Sequence, residues 1–304
     1  MLLAAQNNIT KADNIDTGTF SDLNNALKNT TAVGVNLTND ITWTSVIKLG
    51  SGTGADKISS DVTINGNNFS IISNNTQHLG LDISKNTNLT INNVSINNFD
   101  GNTSWGGALY NSGTLKIENV TFSNNKSQNS EVGGGAIANT EGGIAELNGE
   151  LGFSNNTNRL CGAAIANIEG GEANLKGNYT FSNNSSKSSG GAIYNSAQMT
   201  IESTGKTSFT GNTTAEYSYG GVIWNGENYK FGSGDFTLSW QFDFENNKAG
   251  IGGAIYNAAN MSIINSNLVE TTFKGNSSVK GAGGAIFNIG TLDISSWTGH
   301  SCIC

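Results

Sequence analysis

Apolar and polar residues alternate in short runs along most of the chain. In the run Thr114–Phe122, for example, Leu115 and Ile117 are apolar and their neighbours are polar. Alternate side chains of a β-strand point to opposite faces, so this period of two predicts strands with one buried face. Asn, Gly and Ser residues separate the runs, which predicts short strands joined by tight turns.

A six-residue pattern, most often Gly-Gly-Ala-Ile-x-Asn, recurs seven times, and we call it the hexad. Successive hexads end 28 to 32 residues apart, and a period in this range is typical of stacked structural units. The hexads end at Asn111, Asn139, Asn167, Asn195, Asn225, Asn257 and Asn288.

A second pattern, Phe-x-x-Asn, recurs in phase with the hexad and precedes each copy of it. Its presence at the same period predicts that every structural unit contains both patterns. The pairs are Phe99/Asn102, Phe122/Asn125, Phe153/Asn156, Phe181/Asn184, Phe209/Asn212, Phe244/Asn247 and Phe273/Asn276.

Together these patterns predict an all-β protein, a right-handed parallel β-helix in which each repeat is one coil. The hexad glycines permit tight corners, and the aliphatic fourth residue is expected to point into the core. The sixth residue, Asn, tolerates a left-handed conformation, and stacking at about 4.8 Å would join these amides into a ladder. The fifth residue varies widely, which predicts an outward or groove-facing position rather than a tightly packed one.

We divide the chain into an N-terminal segment with a helical cap (1–32), first coils (33–98), repeat coils (99–295) and an irregular tail (296–304). The cap is a predicted helix over Thr19–Asn29, with Ser21 as its N-cap and Phe20, Leu23 and Leu27 on one face. Such a cap would cover the open edge of the first coil. The tail abandons the repeat pattern, so we expect the chain to be a fragment of a longer protein or the product of a prematurely ended reading frame.

Composition narrows the possible functions. Only 36% of the residues are hydrophobic, but their periodic placement favours a thin, continuous core over disorder. The net charge is −8 and Arg159 is the single arginine in the chain, which argues against a phosphate-binding groove and therefore against nucleic acid. No run of about 18 apolar residues is present, so no membrane-spanning helix is predicted.

The three cysteines do not form a disulfide framework. Cys161 stands just before a hexad, where other repeats have small residues, and is interpreted as a small buried side chain. Cys302 and Cys304 form a Cys-x-Cys pair without further ligands nearby, so we assign them no role. No metal site and no cofactor is expected.

An alternative function, a polysaccharide lyase or glycoside hydrolase, would require paired carboxylates or Asp-bound calcium. Residues 101–234 contain no Asp. The best carboxylate cluster is Asp235, Asp243 and Glu245, and His78 and His300 are far apart in sequence. We therefore name no catalytic residue and expect that the protein is not an enzyme.

The longest spacer in the repeats lies between Asn225 and Phe244. A lengthened corner in a solenoid is typically a surface loop, and such loops often bind ligands. We therefore predict that its aromatic residues form a binding surface; they are Tyr229, Phe231, Phe236 and Trp240.

The paired Gly-Gly-Ala-Ile and Phe-x-x-Asn motifs resemble the chlamydial-type polymorphic outer membrane protein repeat. The resemblance covers Phe99 to Asn288, with departures at Ala163 and Val222. It implies an autotransporter-like β-helical passenger that acts as an adhesin or display scaffold at a bacterial cell surface, in the outer membrane or outside the cell. The implied partner is a host-cell or matrix protein or glycan, and we expect the β-barrel translocator to be separate or missing.

Overall fold

In the computed structural model, the described residues are 14–28, 32–53, 58–74, 77–102, 104–129, 133–228, 232–266 and 270–296. They form a parallel β-solenoid of about nine turns with one short helix. This confirms the predicted all-β class and the parallel β-helix. The predicted domain boundaries stay predictions. Tail residues 297–304, including Cys302 and Cys304, lie outside the described residues.

The largest sheet, which we call the long-strand sheet, contains sixteen of the described strands. Burial alternates along each strand, as in Glu172–Ser182, where Ala173, Leu175, Tyr179 and Phe181 face inward. The strands are Ile15–Thr17, Ala32–Leu37, Ile41–Trp43, Asp61–Asn65, Ser70–Ser73, Asn88–Asn97, Thr114–Ser123, Ile144–Ser154, Glu172–Ser182, Gln198–Ser203, Thr207–Thr210, Asp235–Ser239, Phe242–Glu245, Asn260–Asn265, Thr272–Lys274 and Thr291–Ser296.

The seven hexads and two earlier segments, Ile47–Leu49 and Leu81–Ile83, form a second parallel sheet, the hexad sheet, of nine three-residue strands within the described part of the chain. Equivalent residues of successive hexads are in register, so Ile165 pairs with Ile193 and Asn167 with Asn195. The strands are Ile47–Leu49, Leu81–Ile83, Leu109–Asn111, Ile137–Asn139, Ile165–Asn167, Ile193–Asn195, Ile223–Asn225, Ile255–Asn257 and Ile286–Asn288.

Two-residue strands turn the chain from the long-strand sheet towards the hexad sheet. Thr213 forms isolated bridges that join the two groups of such strands. These strands are Lys126–Ser127, Thr157–Asn158, Ser185–Ser186, Lys248–Ala249 and Ser277–Ser278, and a separate antiparallel pair is Glu227–Asn228 with Gly232–Ser233.

The hexad asparagines form one continuous amide ladder along the solenoid. Each Nδ2 donates to the Oδ1 of the next hexad Asn, over six contacts of 2.7 to 2.9 Å. The side chains of the first six hexad asparagines are fully buried. Their φ values are not left-handed, unlike the expectation from sequence. Instead the first hexad residue has a positive φ in five of the seven hexads, as at Gly190 (φ 64°), because the corner lies at the start of the hexad.

Close packing between coils favours glycine at the second hexad position, which is Gly in six copies and Ala163 in one. A Cβ at Gly191 would collide with the carbonyl oxygen of Gly221 in the next coil. The aliphatic fourth residue points into the core as predicted, and Ile193 and Ile223 are fully buried.

The Phe-x-x-Asn motifs form two further ladders inside the solenoid. Ring centroids of the stacked phenylalanines lie 4.7 to 5.1 Å apart from Phe122 to Phe273. From Asn125 to Asn276, each Asn Nδ2 donates to the next Asn Oδ1 at 2.9 to 3.1 Å. Each inner Oδ1 also accepts a backbone N–H, as Asn184 does from Asn156. Buried amides of this kind need every such bond, because an unpaired polar group is costly.

The pair Phe99/Asn102, predicted as the first Phe-x-x-Asn copy, is not part of these ladders. Strand register pairs Phe122 with Ile96, and Phe99 donates its backbone N–H to Asn125 Oδ1. Phe99 therefore occupies the Asn place, and the prediction was wrong for this copy because three-residue spacing alone does not fix strand register.

The helix spans Phe20–Ala26 and lies at the N-terminal end of the solenoid. Its N-cap is Thr19, whose side chain accepts the Asp22 backbone N–H at 3.1 Å, and not Ser21 as predicted. This earlier start places Phe20 inside the helix, where its ring packs edge-on against Trp43 at 4.9 Å. Leu23 and Leu27 are fully buried, as their spacing predicts.

Candidate functional site on the outer faces of the coils

The repeated motif side chains are not available to a ligand. The Phe and Asn residues of the Phe-x-x-Asn ladders are fully buried from Phe122 to Asn247, and so are the hexad asparagines from Asn111 to Asn257. These residues build the coil. Any binding chemistry must therefore lie on the outward positions of the sheets and on the turns between them.

The fifth hexad residues point away from the main core, as predicted. Several of them are nevertheless buried, which corrects the expectation that this position is not tightly packed. Ala138, Ala166 and Tyr194 are buried. The reason is the turn at Leu160 and Cys161, which packs against Ala166 and Tyr194 in a second apolar cluster on the outer side of the hexad sheet.

Cys161 is the small buried residue that the sequence predicts. It is 6% exposed, and its thiol is free. Burial raises the pKa of Cys161 to about 11, an effect only partly opposed by hydrogen bonds at Ser189 and Ser188. A thiol protonated at neutral pH is a poor nucleophile, so this residue is structural.

Towards the C-terminal coils the fifth hexad residues are aromatic and partly exposed. Tyr194 stacks on Trp224 with centroids 4.2 Å apart, and Tyr256 stacks on Phe287 at 5.3 Å. Tyr219, which is 38% exposed, contacts Tyr256 at 4.8 Å. Each of these rings therefore has at least one neighbouring ring in contact with it.

The structure corrects one of the four aromatic residues predicted to bind. Phe236 is 2% exposed, because it lies at an inward position of the strand Asp235–Ser239, between Met199 and Met261. Trp240, directly after that strand, is 41% exposed. Tyr229 and Phe231 lie outside the described residues, so their predicted role stays a prediction.

Trp240 stands at the rim of a cleft on the outer side of the long-strand sheet. We call this the Trp240 cleft; its volume is about 210 Å³ and its lining includes Thr200, Glu202, Ser239, Ile264 and Asn265 around Trp240. The Trp240 backbone has φ 89°, and its N–H donates to the Ile264 carbonyl at 2.8 Å. The long spacer in the sequence predicted a role for Trp240, but nothing in the sequence indicated Glu202, which lies in the preceding coil.

The carboxylates named for the enzymatic alternative lie outside this cleft. Asp243 accepts from Lys206 Nζ at 2.8 Å and from Thr272 Oγ1 at 2.6 Å. Desolvation raises the pKa of Asp243, but the hydrogen bonds from Lys206 and Thr272 outweigh it, and the pKa falls below its usual value. Such a carboxylate stays ionised and is unsuited to act as a general acid.

The remaining acidic candidates are also arranged as surface groups. Glu245 pairs with Lys274 at 3.4 Å, while Asp235 is exposed on the strand before the Trp240 bend. His78 hydrogen-bonds the Leu79 carbonyl at 3.0 Å, and His300 is outside the described residues. Among described residues no three His, Cys, Asp or Glu side chains are close enough to hold a metal ion.

No helix within the described ranges is long and apolar enough to cross a membrane.

Two family models match the chain. A model of a pectate lyase-like adhesive domain matches residues 15–129. A model of the Chlamydia polymorphic membrane protein repeat matches residues 119–140, 178–196, 241–258 and 270–289, which confirms the resemblance found in the motifs. No curated protein matches the chain. No solved structure matches it either.

Proposed function

We propose that this β-solenoid, which carries Chlamydia polymorphic membrane protein repeats, is an adhesin-like passenger displayed on or secreted from a bacterial cell. Its location is then the cell surface, the outer membrane or the extracellular space. Its partner is a host-cell or matrix protein or glycan, and it acts by binding without catalysis.

One observation carries this proposal: the repeated residues face inward and the outward residues differ from coil to coil. In the row that pairs Asn148, Lys176, Glu202 and Ser239, four successive coils present an amide, an ammonium group, a carboxylate and a hydroxyl. A rod that keeps its interior constant while varying its surface is suited to presenting binding groups over a long face. The match to an adhesive-domain model supports the same function.

The absence of catalysis is part of the proposal. It is supported by two surface ion pairs, because Asp243 is paired with Lys206 and Glu245 with Lys274. The family models that match are those of a membrane protein repeat and an adhesive domain.

The experiment is attachment of coated beads. Beads carrying the purified chain are added to cultured epithelial cells, with beads carrying a β-solenoid of unrelated outer surface as the matched control. We expect several-fold more attachment than with the control, and competition by soluble chain. Attachment equal to that of the control would contradict the proposal.

A second measurement separates binding from catalysis. The chain is incubated with polygalacturonate and with neutral polysaccharides, and released products are measured beside the variant Asp243→Asn. We expect no turnover by either protein. Turnover that disappears in Asp243→Asn would establish the enzymatic alternative instead.

A further inference from the structure

Trp240 has a left-handed backbone, with φ 89°. It follows Ser239, which is aligned through the strand register with Glu202, Lys176, Asn148, Glu118 and Asn92 of the earlier coils. The residue after this row also has a positive φ in three of those coils, where it is Asn93 (φ 52°), Asn119 (φ 55°) or Gly149 (φ 76°). In the two coils directly before Trp240 the equivalent residues, Gly177 and Ser203, do not have a positive φ.

An indole is a poor choice at this place for the fold alone. Gly has no Cβ and Asn tolerates the left-handed region, whereas a bulky residue with positive φ is a genuine outlier. Strained residues of this kind persist where the surrounding structure holds them, and they cluster at ligand sites. The conformation of Trp240 therefore points to a role beyond stacking coils.

The Trp240 cleft combines an aromatic platform with hydrogen-bonding groups. Trp240 and the half-buried Ile264 supply apolar surface, while Glu202 and the Thr200 hydroxyl supply polar groups. A sugar ring presents C–H groups on its face and hydroxyls at its edge. Its chemistry therefore matches both kinds of lining, in a cleft whose size suits a single ring.

The charge of the cleft favours a neutral sugar. The Glu202 carboxylate is paired with Lys176 Nζ at 3.0 Å, so the nearby cation is already neutralised. The chain carries a net charge of −8, and its single arginine, Arg159, does not line the cleft. Among the described residues, no cation other than the paired Lys176 lies near the lining, so an anionic sugar would meet the carboxylate without a cation to bind it.

The aromatic pair at the fifth hexad position is explained by packing between coils. Tyr194 and Trp224 are nearly parallel, with an interplanar angle of 4°, and each ring covers one face of the other. Tyr194 is also buried, so we interpret this pair as structural.

We propose that the Trp240 cleft binds a neutral hexose ring of a glycan chain, with the C–H face of the sugar on the indole and its hydroxyls bonded to Glu202 and Thr200. This inference rests on the proposed adhesive function, for which it names the ligand class. The binding is non-covalent and requires no metal or cofactor.

The test is isothermal titration calorimetry of the full chain with neutral trisaccharides of glucose, galactose and N-acetylglucosamine, and with trigalacturonate as the anionic probe. We expect binding of at least one neutral trisaccharide and a tenfold or greater loss of affinity in Trp240→Asn. Asparagine is chosen because Asn93 and Asn119 adopt the same backbone conformation. Tyr217→Ala, which removes another exposed aromatic side chain, should bind like the wild type.

Glu202→Gln provides a second variant that keeps the size of the side chain. We expect it to weaken binding several-fold, because a carboxylate accepts hydroxyl hydrogen bonds more strongly than an amide. Three results would overturn the inference: no neutral trisaccharide binds, only trigalacturonate binds, or Trp240→Asn binds as tightly as the wild type.

The outcome separates this inference from the proposed function. If beads attach to cells but no neutral trisaccharide binds, the sugar site is wrong and adhesion stands. If a trisaccharide binds at Trp240 but beads do not attach, the sugar site stands and adhesion is wrong. Backbone strain is checked by thermal unfolding, where Trp240→Asn should melt above Trp240→Ala, since Asn tolerates positive φ better than Ala.

Discussion

The N-terminal coils, within residues 32–99, and the repeat coils, within residues 109–288, stack in one continuous register but have different side chains at equivalent positions. In the hexad sheet, Leu49 and Ile83 are aligned in register with Asn111. The N-terminal coils therefore have an aliphatic side chain where the repeat coils have an asparagine. Both aliphatic side chains are fully buried. The solenoid therefore does not require an asparagine at this corner.

The long-strand sheet shows the same change. Ile41, Ile71 and Ile96 precede Phe122 in one register row, and Phe99 takes the place that Asn125 holds in the next coil. The N-terminal coils are thus held by apolar packing alone at these places. The repeat coils replace it with stacked rings and hydrogen-bonded amides.

The difference predicts how each region responds to substitution. Apolar packing tolerates exchange of one aliphatic side chain for another, at a cost below about 1.5 kcal/mol. A buried amide ladder is less tolerant, because removing one member leaves its partners without hydrogen bonds. The adhesive-domain match covers the N-terminal coils and continues to residue 129, while the repeat matches begin at residue 119.

The largest effect is expected from Asn184→Leu. Asn184 accepts from the Asn156 side chain and backbone and donates to Asn212 Oδ1 and the Phe153 carbonyl. Leucine would leave several of these buried groups unpaired, so unfolding free energy should fall by about 4 kcal/mol at roughly 1–3 kcal/mol for each group. Urea denaturation followed by circular dichroism measures it.

The matched control for this change is Phe99→Leu, at the equivalent place in the N-terminal region. Its cost should stay near 1–2 kcal/mol, since only apolar volume is lost. Equal costs for the two variants would show that the amide ladder has no special importance.

A smaller effect should follow from extending the hexad ladder into the N-terminal coils with Ile83→Asn. The new amide would lie below Asn111 and could donate to its Oδ1, recovering one hydrogen bond. We expect it to cost about 1–2 kcal/mol less than Ile64→Asn, which is buried between Val35 and Ile91 with no amide neighbour. The same denaturation assay compares them, and an equal loss would argue against transferable ladders.

The phenylalanine stack should contribute less than the amides. Phe181 lies 4.8 Å from Phe153 and 4.9 Å from Phe209. Replacing it with Leu removes both ring contacts and should cost about 2 kcal/mol. Ile71→Leu, at the equivalent position in the N-terminal coils, should lower the unfolding free energy by less than about 1 kcal/mol. If thermal or urea unfolding showed a larger loss for Ile71→Leu than for Phe181→Leu, the stabilising role of the stacked rings would be refuted.

The smallest effect is expected on the outer surface, where both regions carry ion pairs such as Lys48–Asp82 and Lys206–Asp243. The folded pKa of Asp243 is below its usual value, so its contribution is present above about pH 4 and is lost as pH falls through the folded pKa. Asp243→Asn should lower Tm by about 2 °C or less at pH 7, and by progressively less as the pH falls through the folded pKa. A larger loss at acid pH would contradict this sign.

Much of the fold could be predicted from repetition alone. The hexad spacing identified the coil and its stacked asparagines, and it placed residues such as Ile193 in the core. The first Phe-x-x-Asn copy was misplaced because the spacing in Phe99/Asn102 is the same as in a true motif. Only the pairing of Ser123 with Asn97 showed that Phe99 is aligned with Asn125.

The candidate site was less predictable. Phe236 and Trp240 are four residues apart in one spacer, yet one is buried and the other is 41% exposed. Alternation along the strand Asp235–Ser239 accounts for Phe236, but the spacer as a whole was interpreted as a loop. The left-handed backbone of Trp240 has no signature in the sequence.

By itself, the sequence determined the interior of this protein, because stacking a repeat places each inward residue directly above its equivalent in the previous coil. Only the tertiary structure decided which outward side chains became neighbours on the surface. Glu202, Ser239 and Ile264 became neighbours only through the register of coils of unequal length. Outward contacts depend on that register and on local backbone bends, which a period in sequence does not specify.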